Sequence, residues 1–565
     1  MAEQYLTDRE TSLVQLISNP IIKGFNPDPV ICRQGDDYYI ATSTFEWFPG
    51  VRIYHSKNMQ DWKLVAQPLD RVSQLDMKGI PNSGGVWAPC LTHHDGLFWL
   101  VYSNVKSVES PWKCGDNFLV TAPEIEGPWS EPIQLPFAGF DPSLFHDASG
   151  RKYITYREWG PRHHSNPHNH IVLQEYFHDT RSLSEKSSII FTGTQRKLTE
   201  APHIYQVGGY YYLFVAEGGT AYDHAVTVLR SNELGGPYEL HPDETILTSA
   251  HMPEHVLQKA GHGAILQTHN GEWYMVFLVG RPIKSKTQTA QESAMGYCPL
   301  GRETAIDKIE WRDNWPHVVG GQHAKSSIPA PEFSTTNDTP NETFIDRFNT
   351  SKLDAEWQTL RVPFSDELGE ISPDNKCLRL FGREPLISQF TQATVGHRWK
   401  HFQFDAITNL SFKPVNPQQN AGIACYYNTQ NWIYCFIDFD SDLGSRSLKI
   451  IQLDNNEAKY FLYDSPIPLP ASQDSVSLKV SVRAQTLSFS YALDGENWCP
   501  IDLSFEAWKL SDDYVKGKGF FTGAFICLHC SDLSNRGIHA DFHHFEYLPL
   551  TSRDHLTKEI DHDRT

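Results

Sequence analysis

Between residues 25 and 300 one pattern returns five times, a turn followed by a run of aromatic and β-branched residues: DDYYIATS, DGLFWLVYS, SGRKYITY, GGYYYLFVA and NGEWYMVFL. The second turn residues are Asp37, Gly96, Gly150, Gly209 and Gly271, so the unit recurs at spacings of 59, 54, 59 and 62 residues. A fixed period of this size marks a repeat architecture. The windows alternate with period two and are broken by Gly and Pro, whereas stacked helices need apolar residues at i, i+3, i+4 and i+7. Each repeat has room for four short antiparallel strands, which is the content of a propeller blade. The expected fold is therefore all-β, beginning with a five-bladed β-propeller.

Counting back nine residues from each turn residue reaches Asp28, Trp87, Asp141, Glu200 and His262. Positions in phase with the repeat occupy equivalent points on the first strand of each blade, and the innermost strands of a propeller face its central channel. Three carboxylates, an indole and an imidazole are thus expected to converge. Any one of them alone reads as a turn residue or a satisfied core group. Five in phase do not, because axis-facing structural positions would be small or apolar.

Cleaving a glycosidic bond needs a protonated acid at the leaving oxygen and a base or nucleophile on the other face of the ring. A third carboxylate near the acid raises its pKa and keeps its proton available at neutral pH. A Glu reaches one methylene farther than an Asp, which suits a proton donor at the pocket wall. The 15 Trp, 24 Tyr and 31 Phe supply flat faces for both strands and sugar rings.

The net charge of −20 repels phosphates and anionic lipid surfaces, so neither nucleic acid nor membrane is an expected partner. No apolar run approaches the length that spans a bilayer. The opening MAEQYLTDRE lacks the basic and apolar regions of a signal peptide, and the expected location is the cytosol. Cys425, Cys435 and Cys527 lie in strand-like runs as small hydrophobes, and Cys527 with Cys530 makes a lone CxxC without a partner pair. Asn341, Asn349 and Asn409 fit the glycosylation sequon, which acts only on a secreted chain.

From IPAPEFSTTNDTPNET the composition turns rich in Pro, Ser, Thr and Asn, and beyond it alternating strands such as QNAGIACYYNTQNWIYCFIDF and SVSLKVSVRAQTLSFSYALDG continue to about residue 549. The expected division is a catalytic propeller over 1–327, a linker over 328–343, a β-sandwich over 344–549 and a charged tail over 550–565.

Residues 20 to 325 closely resemble glycoside hydrolase family 43, in its β-xylosidase branch, through KGFNPDPV, DDYYIATSTFEWFPGV, SGGVWAP, GFDPSLFHD, TEAPHIY, AEGGT, GHGAI and CPLGRETAI. The resemblance implies inverting hydrolysis with Asp28 as general base, Glu200 as general acid and Asp141 as the modulating, orienting carboxylate. It implies that Arg302 points into the −1 sugar site, that Trp87 and Phe45 are pocket walls, and that Trp159 covers the leaving-group side. His262 matches a histidine beneath the active site that in some members ligates an axial Ca2+, so an ion beside it is compatible with the family but not required. No cofactor and no protein-held metal is expected. The branch also carries a concanavalin-like sandwich that lends a Phe to the pocket, for which Phe521 and Phe525 are the candidates, each equally readable as sandwich core. The activity implied is exo-acting release of xylose from β-1,4-xylo-oligosaccharides, with side activity on α-L-arabinofuranosides, by a homo-oligomer, dimer or tetramer. The alternatives are an arabinofuranosidase proper and a carbohydrate-binding propeller without turnover. A five-bladed fructosidase fits less well, since its MNDPNG-type word is here NPDPV.

Overall fold

The computed structural model describes residues 15–108, 113–159, 170–284, 295–335, 342–372, 374, 376–515 and 520–550. The amino-terminal decapeptide, the Asn341 sequon and the tail from residue 551 lie outside the described residues. The chain is all-β, with one short 3₁₀ turn at Ala507–Lys509. Among the described residues no helix is long and apolar enough to cross a membrane.

Five four-stranded antiparallel sheets follow one another over residues 30–66, 85–135, 139–191, 200–248 and 258–318, one for each sequence repeat. The turn residues explain the hairpins. Asp95–Gly96 and Gly208–Gly209 both sit at positive φ, as a two-residue turn between right-twisted strands requires. Aromatic and β-branched residues of neighbouring blades then pack between the sheets, where Tyr38, Ile40, Phe98, Leu100 and Val276 are wholly buried. The ring is closed by Leu16–Ser18 pairing with Ser327–Pro329. Asn19 locks the seam: its amide donates to the carbonyls of Ile306 and Lys325 at 2.8 Å each and accepts from Ile306 N–H at 2.9 Å.

The second half folds into an eight-stranded and a nine-stranded sheet whose facing side chains, among them Leu410, Ile423, Leu478, Val480 and Leu528, form a dry core. One strand of the larger sheet comes from the propeller. Trp47–Phe48 leaves the first blade and pairs with Leu360 and Thr359. Trp47 stacks on Phe525 with ring centroids 3.6 Å apart, so the two halves share a buried aromatic seam. Arg398, on the sandwich strand Ala393–Arg398, reaches across the seam and donates to the Phe25 carbonyl and, at 2.7 Å, to Asn26 Oδ1. The sandwich therefore braces the segment that leads into Asp28.

Candidate active site

The five in-phase residues come together at the start of each blade's first strand, where four of the five blades carry a break in the ladder; Asp28 lies just ahead of its strand, which pairs without a skip. The ladders skip register between Trp87 and Cys90, Phe140 and Ser143, Glu200 and His203, and around Gly261 to Ala264. At the four skips, and at Asp28 ahead of the first blade's strand, one residue is left-handed: Asp28, Ala88, Asp141, Ala201 and His262, with φ between 26° and 55°. Asp28, Asp141 and His262 are thus the left-handed residue itself, while Trp87 and Glu200 stand one position before it. The five in-phase residues are therefore not strictly equivalent, contrary to the expectation. Proline follows in four blades (Pro29, Pro89, Pro142, Pro202) and Gly263 in the fifth. Proline has no N–H to give the ladder, so a bulge before it costs little, and a bulge re-aims the adjoining side chain. Left-handed backbone at a non-Gly residue is strained, and its recurrence in all five blades ties the strain to the site.

The re-aimed side chains line one cavity of about 530 Å³ together with Phe45, Lys113, Phe140, Arg157, Leu198, Thr220, Arg302 and Phe521. They form two contact groups. In the first, Asp28 accepts from Arg302 Nη1 at 2.8 Å and from Ser43 Oγ at 2.7 Å, so both its oxygens are oriented, and His262 Nδ1 lies 3.7 Å away. Arg302 also donates to Thr220 Oγ1 at 2.7 Å and to the Phe521 carbonyl at 3.1 Å, and its guanidinium sits over the rings of Phe45 and Phe521. In the second group Arg157 Nη1 pairs with Glu200 at 2.9 Å and stands over Phe140. Asp141 Oδ2 accepts the Ala201 N–H at 3.2 Å, which ties it to the backbone beside Glu200. Trp87 packs edge-on to Phe140 and Phe521 between the groups.

Electrostatics separate these groups by role. Burial first, then the charges of Glu200 and Asp28, push the Asp141 carboxyl well above the ordinary range. Glu200 is also raised, by burial, with the Arg157 guanidinium opposing and Asp28 adding to the rise. Asp141 and Glu200, buried beside each other, thus hold protons more tightly than free carboxyls do, which supplies an acid at neutral pH. Burial and Arg302 push His262 down to about 3, so it is a neutral imidazole beside Asp28.

Phe521 and Phe525 have different fates. Phe521 lines the cavity, and its N–H is held by Ser83 Oγ at 2.9 Å. Phe525 does not reach it: its side chain is 0% exposed against Trp47, which corrects the expectation that it could close the pocket. Parity along GFFTGAF suggested one face for both, but the strand begins only at Phe525, and residues 521–524 approach it without ladder pairing. Trp159 likewise stands behind the wall, 4.8 Å from Phe140 and 6.3 Å from Trp87, and is not among the lining residues. Truncating the two phenylalanines should therefore separate cleanly. Phe525→Ala opens a core cavity and is expected to cost about 3–5 kcal/mol, read as a lower apparent melting temperature with KM unchanged. Phe521→Ala should raise KM for the bound sugar and leave the melting temperature within a few degrees. Equal effects on KM would return Phe525 to the pocket.

Arg157, Lys113, Ser43 and Thr220 went unnoticed in the sequence. Arg157 had a signal, since it precedes Trp159 by two and so shares its side of the chain. Around His262 stand Asp28, already twice bonded, the imidazole of His203 with ring centroids 6.2 Å apart, the buried imidazole of His224 and the Arg302 cation. That set does not fit a resident Ca2+, which takes roughly six to eight oxygen ligands. One other group, His241, Asp243 and His317, brings ligand atoms within 4.8 Å of one another. There His241 Nδ1 accepts the Asp243 N–H at 3.0 Å, leaving its proton on Nε2 and no lone pair for a metal. Cys527 and Cys530, three apart on one strand, belong to separate cores on opposite faces and cannot act together.

Residues 17–316 match the model of glycosyl hydrolases family 43, and residues 345–548 match the β-xylosidase C-terminal concanavalin A-like domain. The chain is 50% identical to a β-xylosidase of Bacillus subtilis (strain 168), over 94% of this chain and 99% of that one. It is 43% identical to xylosidase/arabinosidase 43B of Humicola insolens, over 94% and 98%. Among solved structures, the xylan β-1,4-xylosidase of Bacillus halodurans C-125 superposes with a TM-score of 0.90 at 43% identity, covering 94% of this chain and 100% of that one. With the in-phase carboxylates, the propeller and the appended sandwich all accounted for, the chain belongs to glycosyl hydrolase family 43.

Proposed function

We propose that this glycoside hydrolase is an exo-acting, inverting β-1,4-xylosidase, with the convergence of Asp28, Asp141 and Glu200 on one cavity as the observation that carries the reading. Asp28, oriented by Arg302 and Ser43, takes a proton from water as that water attacks the anomeric carbon. Glu200 delivers its proton to the glycosidic oxygen as the bond to the leaving sugar breaks. The free xylose then carries the inverted configuration, and no covalent intermediate forms. Asp141 supports the acid through its charge and its hold on Ala201 N–H. Acid–base hydrolysis at two carboxyls is complete without a cofactor.

Arg302, with Phe45, Trp87 and Phe521, all lining the cavity, frames the −1 sugar at the end of a chain. Short imported xylo-oligosaccharides are the natural substrates of such an enzyme in the cytosol, and the homo-oligomeric habit of the family suits this chain as well. The Humicola insolens relative named for both sugars favours a side activity on α-L-arabinofuranosides. Release of 4-nitrophenol from the β-xyloside and the α-arabinofuranoside separates the readings. The xyloside should be turned over faster. A faster arabinofuranoside would make this an arabinofuranosidase, and no release from either would leave a binding module.

The sign of the pH dependence follows from Glu200. The acid works only while protonated, so activity falls as pH rises through its pKa, which burial has raised and Arg157 partly restrains. Arg157→Met removes the restraining charge. The basic limb of kcat/KM on xylobiose should move to higher pH, and an unmoved limb would detach Arg157 from the acid.

A further inference from the structure

One buried carboxylate beside the site takes no part in the mechanism above. Glu217 ends the strand Tyr210–Glu217, which pairs with the strand of Glu200 so that Ala216 lies opposite the acid. It is wholly buried and is not among the residues lining the cavity. Four neutral groups donate to it, two on each oxygen. Oε1 accepts the Thr194 N–H at 2.8 Å and the Thr199 hydroxyl at 2.7 Å, and Oε2 accepts the hydroxyls of Thr194 at 2.7 Å and Thr227 at 2.8 Å. A carboxylate out of water depends on bonds of this kind, and each is stronger than its neutral counterpart.

Where the donors sit gives the carboxylate a use. Thr227 belongs to the strand Ala225–Ser231 in the body of the blade. Thr194 and Thr199 bound the loop that delivers the chain to Glu200, and Thr199 is the acid's immediate neighbour. That loop is strained: Lys197 and Leu198 are left-handed in succession, at φ 64° and 52°, and Ala201 follows Glu200 at 50°. Residues other than glycine keep such backbone only where their surroundings over-determine it. Glu217 grips the loop at both ends, and the adjoining Gly218 N–H donates to the Lys197 carbonyl between them at 2.9 Å. A general acid must stand within hydrogen-bond reach of the leaving oxygen, and misplacement by about 1 Å can cost roughly 10²-fold.

We infer that Glu217 is a positioning residue for the general acid: anchored to Thr227 and bonded to Thr194 and Thr199, it holds the strained loop so that Glu200 reaches the glycosidic oxygen, a role that rests on Glu200 being the acid as proposed above. Glu217 itself transfers no proton and acts through Thr199.

The test removes the link next to the acid and leaves the other three donors in place. Thr199→Val keeps the shape of the side chain and deletes its hydroxyl. On the intact enzyme kcat for xylobiose should fall about tenfold, the scale of one hydrogen bond to a charged group, with KM within about twofold. On 4-nitrophenyl β-xyloside, whose leaving group departs without a proton, the loss should stay below about twofold. Thr199→Ser, which restores the hydroxyl, should return xylobiose turnover to within about twofold of wild type. Glu217→Gln should show the same discrimination between the substrates with a larger loss on xylobiose; if that variant fails to fold, the two Thr199 variants still decide. Xylobiose turnover unchanged in Thr199→Val, or a loss of equal size on both substrates, would overturn the inference and leave Glu200 as the acid. A Glu200→Gln enzyme that loses equally on both substrates would overturn the acid assignment and the inference with it.

Discussion

Glu200→Gln is expected to lower kcat on xylobiose by about 10²–10⁴-fold, the usual contribution of a positioned general acid, while the affinity for xylobiose measured by calorimetry stays within a few-fold. The substitution keeps the size of the side chain and its contact with Arg157 Nη1, so binding should survive while the transferable proton is lost. The same variant should lose much less on 4-nitrophenyl β-xyloside, because nitrophenolate departs without protonation and a sugar alkoxide does not. A loss of equal size on both substrates would mean that Glu200 supports the fold or binds the sugar but does not protonate the leaving oxygen.

Asp28→Asn should fail in the opposite pattern. The base acts on water whatever the leaving group is, so the loss, again about 10²–10⁴-fold, should be the same for xylobiose and the aryl xyloside. The amide can still accept from Ser43 Oγ and sit against Arg302, so the variant should fold. Added azide gives a further readout: as a nucleophile that needs no base, it should rescue turnover in Asp28→Asn and do nothing for Glu200→Gln on xylobiose. Rescue confined to Glu200→Gln would exchange the two assignments.

The extent to which the sequence disclosed this site depends on how each contact is made. Asp28, Trp87, Asp141, Glu200 and His262 were legible because a left-handed step recurs near the start of every blade, with Asp28, Asp141 and His262 on it and Trp87 and Glu200 one residue before it, and a repeated backbone feature leaves a nearly periodic trace in the chain. Arg302, which lies on the third strand of the last blade, stands outside that phase and was visible only through the PLGRETAI motif. Lys113 precedes a third strand and Thr220 lies on a connecting loop, so no periodicity marks either of them.

The contribution of the second half was harder to read. Trp47–Phe48 pairs with residues more than 300 positions away, and nothing local distinguishes that dipeptide from the rest of EWFPG. The choice between Phe521 and Phe525 turned on where a strand begins, and burial against Trp47 decided it. The sandwich is thus a structural part of the active site: Arg398 braces Asn26, and the Phe521 carbonyl holds Arg302, which holds Asp28.

Proton NMR of xylobiose hydrolysis, recorded within the first minutes before mutarotation scrambles the product, tests the central claim most directly. Water activated by Asp28 and a leaving group protonated by Glu200 in a single displacement must give α-xylose as the first anomer from the non-reducing unit. β-Xylose appearing first would require a covalent glycosyl-enzyme and would contradict the account.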